Sequence, residues 1–223
     1  MKQTIVAMYD RMEDAQNVVR ALKDAGFNSA DISLVAPDAK GEYSRQLGTG
    51  AKAGKHDAAA GGATAGAVLG GLGGLLVGLG ALAIPGIGPV IAAGPLATGV
   101  AALVGAGAGA VAGGAAGGIL GALVDLGIPK EEAGYYAEGL RRGGLLVSLT
   151  TDDSHVSQAR SIMDRFNAMN VDNRVAQWRK SGWRGYDVNS GPWTGENVVA
   201  EGMSRNTTTS AQPGGTRVYP YNK

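Results

Sequence analysis

The sequence predicts an α+β fold: a split ferredoxin-like sheet made of two β-α-β halves (β-α-β + β-α-β), with an inserted glycine-zipper helical hairpin and a flexible C-terminal tail. Three observations predict it. Residues near both ends of the first 178 repeat one pattern, a short apolar run, an acidic residue, an amphipathic helix and a second run. No charged residue lies between Asp57 and Asp125. Glycine accounts for 38 of 223 residues, far above the usual ~7%, and much of it recurs at every fourth position.

In the first half, Thr4 to Tyr9 (TIVAMY) is short and β-branched, as strands are. Asp10 reads as a helix N-cap, and Glu13 stands at capping-box spacing from it. Met12, Ala15, Val18, Val19 and Leu22 form one apolar stripe at helical spacing. Gly26 then fits the position after the C-cap, with Phe27 making the accompanying apolar contact. Ile32 to Ala36 is a second strand, stopped by Pro37. Residues 1–37 thus form the first half, and the polar, glycine-bearing residues 38–57 form a linker.

The uncharged segment 58–126 carries two glycine series. Gly62, Gly66, Gly70, Gly74 and Gly78 are spaced by four, as are Gly105, Gly109, Gly113, Gly117 and Gly121. Residues four apart share a helix face, so each series makes a smooth strip on which a second backbone can come close. The first helix is placed near Ala59–Ala83 and the second near Leu96–Val124. Pro85, Gly86, Gly88, Pro89 and Pro95 mark the hairpin turn between them. Glycine lowers helix stability by roughly 1 kcal/mol relative to alanine, so such helices depend on a packing partner. A spanning helix takes about 20 apolar residues, and the run is long enough for two. Lys52 and Lys55 before it, with Lys130, Arg141 and Arg142 after it, agree with both ends lying in the cytoplasm. The expectation is therefore a cytoplasmic domain associated with the inner membrane and not secreted, with membrane lipid and further copies of the chain as partners. Its alternative is a soluble homo-oligomer with the hairpins as a buried common core.

Residues 127–178 supply a helix and the second half. Pro129 suits the first turn of a helix that ends at Gly143. Leu145 to Thr150 is a strand. Asp152 or Asp153 caps a helix with the stripe Val156, Ala159, Ile162, Met163 and Phe166. Val171 to Trp178 (VDNRVAQW) is expected as the fourth strand. Residues 179–223 are a low-complexity tail. In it, WRKSGWRGYD mixes aromatic and basic side chains as membrane-interface or single-strand nucleic-acid segments do, with Trp178 closing onto the core as the simpler reading. The final RVYPYNK could be a docking peptide.

The chemistry is sparse. The net charge of +1 offers no strong field for nucleic acid. With no cysteine there is no disulfide, thiolate ligand or thiol nucleophile. His56 lies in the linker and His155 at a helix start, and neither has metal-ligand spacing around it. GLGGLLVG lacks the preceding strand and following acid of a dinucleotide fingerprint. No catalytic, cofactor-binding or metal-binding residue can be named, no small-molecule ligand is identifiable, and the reading is of a protein that is not an enzyme. A third reading, a small-ligand-sensing ferredoxin-like module, has no pocket residues to name.

Three stretches carry a family resemblance: TIVAMYDRMEDAQNVVRALKDAGFNSADISLVA, GLLVGLGALAIPGIGPVIAAGPLA and LGIPKEEAGYYAEGLRRGGLLVSL. Over roughly residues 1–178 the chain resembles the bacterial general stress protein (heat-induced stress protein) domain family, some members of which are labelled low-temperature-induced. The resemblance implies induction under stress, no known catalysis and no defined binding residues.

Overall fold

The computed structural model describes residues 1–41, 43, 80–84, 86–105, 118–191 and 215–221. In chain order the elements are β1 (Lys2–Tyr9), α1 (Met12–Asp24), β2 (Ile32–Pro37), β3 (Gly80–Ile84), β4 (Gly88–Ala93), α2 (Pro95–Gly105), α3 (Ile119–Asp125), α4 (Lys130–Arg141), β5 (Leu145–Asp152), α5 (Val156–Asp164), α6 (Val171–Lys180) and β6 (Arg217–Pro220). Six strands make one sheet of order β3-β4-β2-β5-β1-β6. Every pairing is antiparallel. The longest ladder is β1 with β5, running from Lys2↔Asp152 to Tyr9↔Leu145.

Local sequence explains α1. Its predicted stripe, Met12, Ala15, Val18, Val19 and Leu22, is the buried face. Gly26 adopts φ +91°, and the Phe27 N–H donates to the Leu22 carbonyl at 3.1 Å while the Gly26 N–H donates to Lys23. Those two bonds close a Schellman ending. The N-terminus differs from expectation. Arg11 is the N-cap residue and no side chain caps the helix, because Asp10 instead pairs with Arg174 at 2.7 Å. Asp153, likewise expected to cap, holds the amino terminus at 3.2 Å and accepts from Gln3.

Both faces of the sheet are covered, where the sequence predicts helices on one face. On one face Ile5, Ala7, Tyr9, Ile32, Leu34, Leu145, Val147 and Leu149 pack with α1 and α5. On the other, Val6, Met8, Val35, Val90, Ala92 and Leu146 pack with α2, α3, α4 and α6. Alternate residues of one strand point to opposite faces, so burial of both sets makes β1 a nearly continuous buried run. Half of the additional layer, α2 and α3, is built from the uncharged segment. Leu96 and Val100 of α2, with Ile119 and Leu123 of α3, are buried in it. Among the described residues no helix is long and apolar enough to cross a membrane.

Two further departures follow from packing. Val171–Trp178, expected as a fourth strand, lies in α6. Val171, Val175 and Trp178 fall four and three apart and share the buried side, whereas strict alternation would pair Val171 and Val175 with Asn173 and Gln177. The Asn170 side chain accepts from the Asn173 N–H at 3.0 Å and starts that helix. The expected helix end at Ala81–Ala83 is instead in β3, whose partner β4 covers the far side of β2. The sheet thus has six strands and not four.

A buried charge cluster joins α4 to α6. The Glu138 side chain is 1% exposed. It accepts from Arg141 at 2.7 and 2.9 Å and from Arg142 at 2.5 Å, and Arg142 lies 5.1 Å from the Trp178 ring centroid.

Because α3 belongs to the core, Leu123→Ala should lower stability by about 2–5 kcal/mol. Urea unfolding in detergent-free buffer measures this, and an unchanged midpoint would take α3 out of the core.

Candidate functional site: a strand-addition groove beside β1

The feature with the most polar machinery is the place where the last residues return to the sheet. Without β6, β1 would be an open edge with unpaired backbone groups. Residues 217–220 fill it, with Thr4 opposite Tyr219 and Val6 opposite Arg217, and the Tyr221 N–H donates to the Lys2 carbonyl at 3.1 Å. Strand periodicity sends Val218 to one face, where it packs against the α1 and α5 cluster. It sends Arg217 and Tyr219 to the other, toward α4 and α6.

The groove walls supply acids, Glu132 and Asp172 on that second side and Asp164 on the α5 side. Glu132 comes from the first turn of α4, where a carboxylate is favoured by the helix dipole. Asp172 occupies the first turn of α6. Asp164 ends α5. Arg217 bonds to both Glu132 and Asp172. Asp164 accepts from the Thr216 hydroxyl at 2.5 Å and from its N–H at 3.1 Å. Tyr219 donates its hydroxyl to Glu132 at 2.6 Å, which leaves its oxygen to accept from Tyr136 at 2.9 Å. The two tyrosine rings meet edge to face, 6.5 Å apart. Tyr219 is 6% exposed and Thr216 2% exposed, so their bonds are sheltered, whereas Arg217 meets Asp172 at the exposed rim.

Two glycines allow the close approach. Gly127 holds φ +90°, and a Cβ there would stand 1.9 Å from the Pro220 carbonyl oxygen. A Cβ on Gly215 would stand 2.4 Å from the Ala168 carbonyl oxygen. A shallow cavity of about 650 Å³ flanks the segment, lined by Glu131, Tyr135, Arg160 and the residues just described.

Burial pushes the Tyr136 hydroxyl up to about 12, against an ordinary 10.0. Burial, then the neighbouring Tyr136, raises Tyr219 as well. Burial also raises Tyr9, whose hydroxyl donates to the Met163 carbonyl at 2.9 Å.

Of the residues singled out by glycine and proline spacing, those that the structure describes lie away from the groove. Gly62, Gly66, Gly70, Gly74, Gly78, Gly109, Gly113 and Gly117 fall outside the described residues, as does Pro85. Gly105 ends α2 and Gly121 lies within α3. Gly86 is in the turn from β3 to β4, Gly88 and Pro89 begin β4, and Pro95 begins α2. These turn residues connect two strands, where a bend between two helices is expected. Trp178 is buried on α6, and Trp183 and Tyr186 pack partly against the same cluster. Sequence reading passes over Glu132, Asp164 and Asp172, which have no motif. The signal for their partner is the β-branched and aromatic pair Val218-Tyr219 after a double glycine.

These features define a strand-addition site, in which main-chain pairing gives affinity and alternate side chains give specificity. Among the described residues no group of three acids or histidines is placed to hold a metal ion. Residues 4–82 match the family model of the heat induced stress protein YflT domain, the general stress protein family that the sequence resembles. That match runs from β1 into β3, short of the groove's acidic walls. No curated protein and no solved structure matches the chain.

Removing one hydroxyl tests the network. Tyr219→Phe leaves Glu132 and Tyr136 short of a partner and should cost about 1–3 kcal/mol, with faster hydrogen exchange in β1 as the local readout. The tyrosines also set an alkaline limit. Their folded pKa values exceed the unfolded one, so their contribution is complete below pH 10.0 and falls as pH rises toward about 12. Absorbance titration should show tyrosine ionisation coinciding with unfolding above pH 10.0; ionisation of all tyrosines near 10.0 in the folded chain would contradict it.

Proposed function

We propose that the chain is a non-enzymatic stress-response protein that self-associates through the glycine-rich runs 58–79 and 106–117, with its folded domain in the cytoplasm. The stress-response part is supported by the family match over residues 4–82. In this reading β2, β5, β1 and β6 form the split ferredoxin-like unit, with β6 in the role first given to residues 171–178.

The observation that carries self-association over membrane crossing is where each run begins and ends. Pro37 in β2 and Gly80 in β3 belong to one sheet. Gly105 ends α2 and Ile119 begins α3, and those helices pack where Gly99 meets Ala122. The described residues that flank each run therefore lie on the same side of any bilayer. One crossing takes about 20 apolar residues. Run 58–79 has 22 residues and run 106–117 has 12, so neither can go out and return. Ile84, Leu96, Ile119 and Leu123, on the elements that flank the runs, are buried in the domain. The runs carry glycine at every fourth position, a spacing suited to close contact with a second copy, and Leu69, Leu72, Leu76 and Leu79 of the first run would meet lipid or a second protein layer.

Light scattering without detergent should report a defined species larger than one chain. Gly70→Leu together with Gly113→Leu should reduce it to the single-chain mass, since leucine cannot fit a contact of that kind. Lipid as partner is separated by washing membranes with carbonate. Release into the supernatant is expected, whereas retention of the wild-type chain would overturn the proposal.

A further inference from the structure

We propose that the groove beside β1 is an exchange site between copies, taking residues 215–221 of a second chain in place of its own. This goes beyond association through the glycine runs and does not rest on it.

The groove selects this segment closely. Thr216 meets Asp164, Arg217 meets Glu132 and Asp172, and Tyr219 meets Glu132 and Tyr136. Gly127 gives Pro220 its room. A peptide without a donor, then a cation, then a phenol two residues beyond that cation would leave the half-buried Asp164 and Glu132 carboxylates and the buried Tyr136 hydroxyl without these partners. The occupant that carries this sequence is the chain's own end, and every copy carries it.

Nothing in the docking itself distinguishes the chain's own segment from a neighbour's. Gly191 and Gly215 are 24 positions apart, a contour of up to about 80 Å at the extended spacing per residue. A folded chain of this length has a radius of gyration of only about 17 Å, so a connection of that length is long enough to serve the groove of a second copy. β6 is four residues long and pairs on one side only, with β1. Short one-sided strands open most easily, and at high local concentration an open groove captures whichever end is nearer. Tail and groove are different surfaces, so exchange gives either a reciprocal pair or a head-to-tail series.

The register supplies a test on the full-length chain. Gln3 stands opposite Pro220, and facing residues of an antiparallel pair, about 4.5–5.5 Å apart, lie within disulfide reach. The natural chain has no cysteine, so each introduced thiol is unique. Chains carrying only Gln3→Cys and chains carrying only Pro220→Cys are mixed, warmed, cooled and oxidised. The expected product is a covalent heterodimer, identified by mass after labelling one population. Adding Arg217→Glu to the Pro220→Cys donor should lower its yield by about tenfold or more, as loss of a charge-assisted pair implies.

A chain carrying both cysteines is the control for folding, because it should close its own disulfide. If it closes while the mixture gives only the background of like-with-like dimers, exchange is refuted. If it does not close, the docked segment itself is refuted. The heterodimer should persist when both chains also carry Gly70→Leu and Gly113→Leu, which separates this outcome from failure of the glycine contact.

Discussion

The ladder between β1 and β5 is the interaction on which the rest of the molecule depends. It pairs Tyr9 with Leu145 and Lys2 with Asp152, joining the two ends of the domain across the whole uncharged segment. Loop closure over such a separation costs entropy that only a long, well-buried ladder offsets. Here most of β1 and β5 is buried, on both faces. Once the ladder forms, β2 has an edge on β5 and β6 has an edge on β1. The intervening chain is thereby constrained to leave and return on one side.

That constraint changes the meaning of the apolar segment. A sheet with two apolar faces needs two layers of cover. α1 and α5 supply one, and they come from ordinary amphipathic sequence. The other is assembled from α2, α3, α4 and α6, half of it drawn from the uncharged run. Residues that would suit lipid serve as an internal layer. The Glu138 cluster then fixes α4 onto α6, and breaking such a buried set by removing one partner typically costs about 3–5 kcal/mol. Its role here is to hold the helices that form one wall of the groove.

The groove uses different physics. Apolar burial is not selective, but Tyr219 and Thr216 each meet a matched acceptor in a sheltered place, and Arg217 bridges Glu132 and the exposed Asp172. A buried acceptor left unpaired is costly, so the site discriminates by what it would leave unsatisfied. It also removes the open edge of β1, which would otherwise invite pairing with other chains. Protection of an edge and capture of a neighbour's strand are two outcomes of the same complementarity.

The sequence by itself determined the elements whose information is local. The stripe of α1, the Schellman ending at Gly26 and Phe27, the helix before Gly143 and the strands at 4–9, 32–36 and 145–150 could all be read from periodicity and turn chemistry. The tertiary structure decided the rest, for identifiable reasons. Residues 80–84 and 88–93 carry no charge, and a buried strand has the same composition as a buried helix, so the pairing of 88–93 with β2 and of 80–84 with 88–93 selected the strands. Val171, Val175 and Trp178 keep helical spacing, and Asn170 capping the helix and the core receiving the indole decide the element. Glu132, Asp164 and Asp172 are unremarkable surface acids in the sequence. They become a site only because β1 leaves an edge and the last residues of the chain return to fill it, a relation between distant segments that no local pattern encodes.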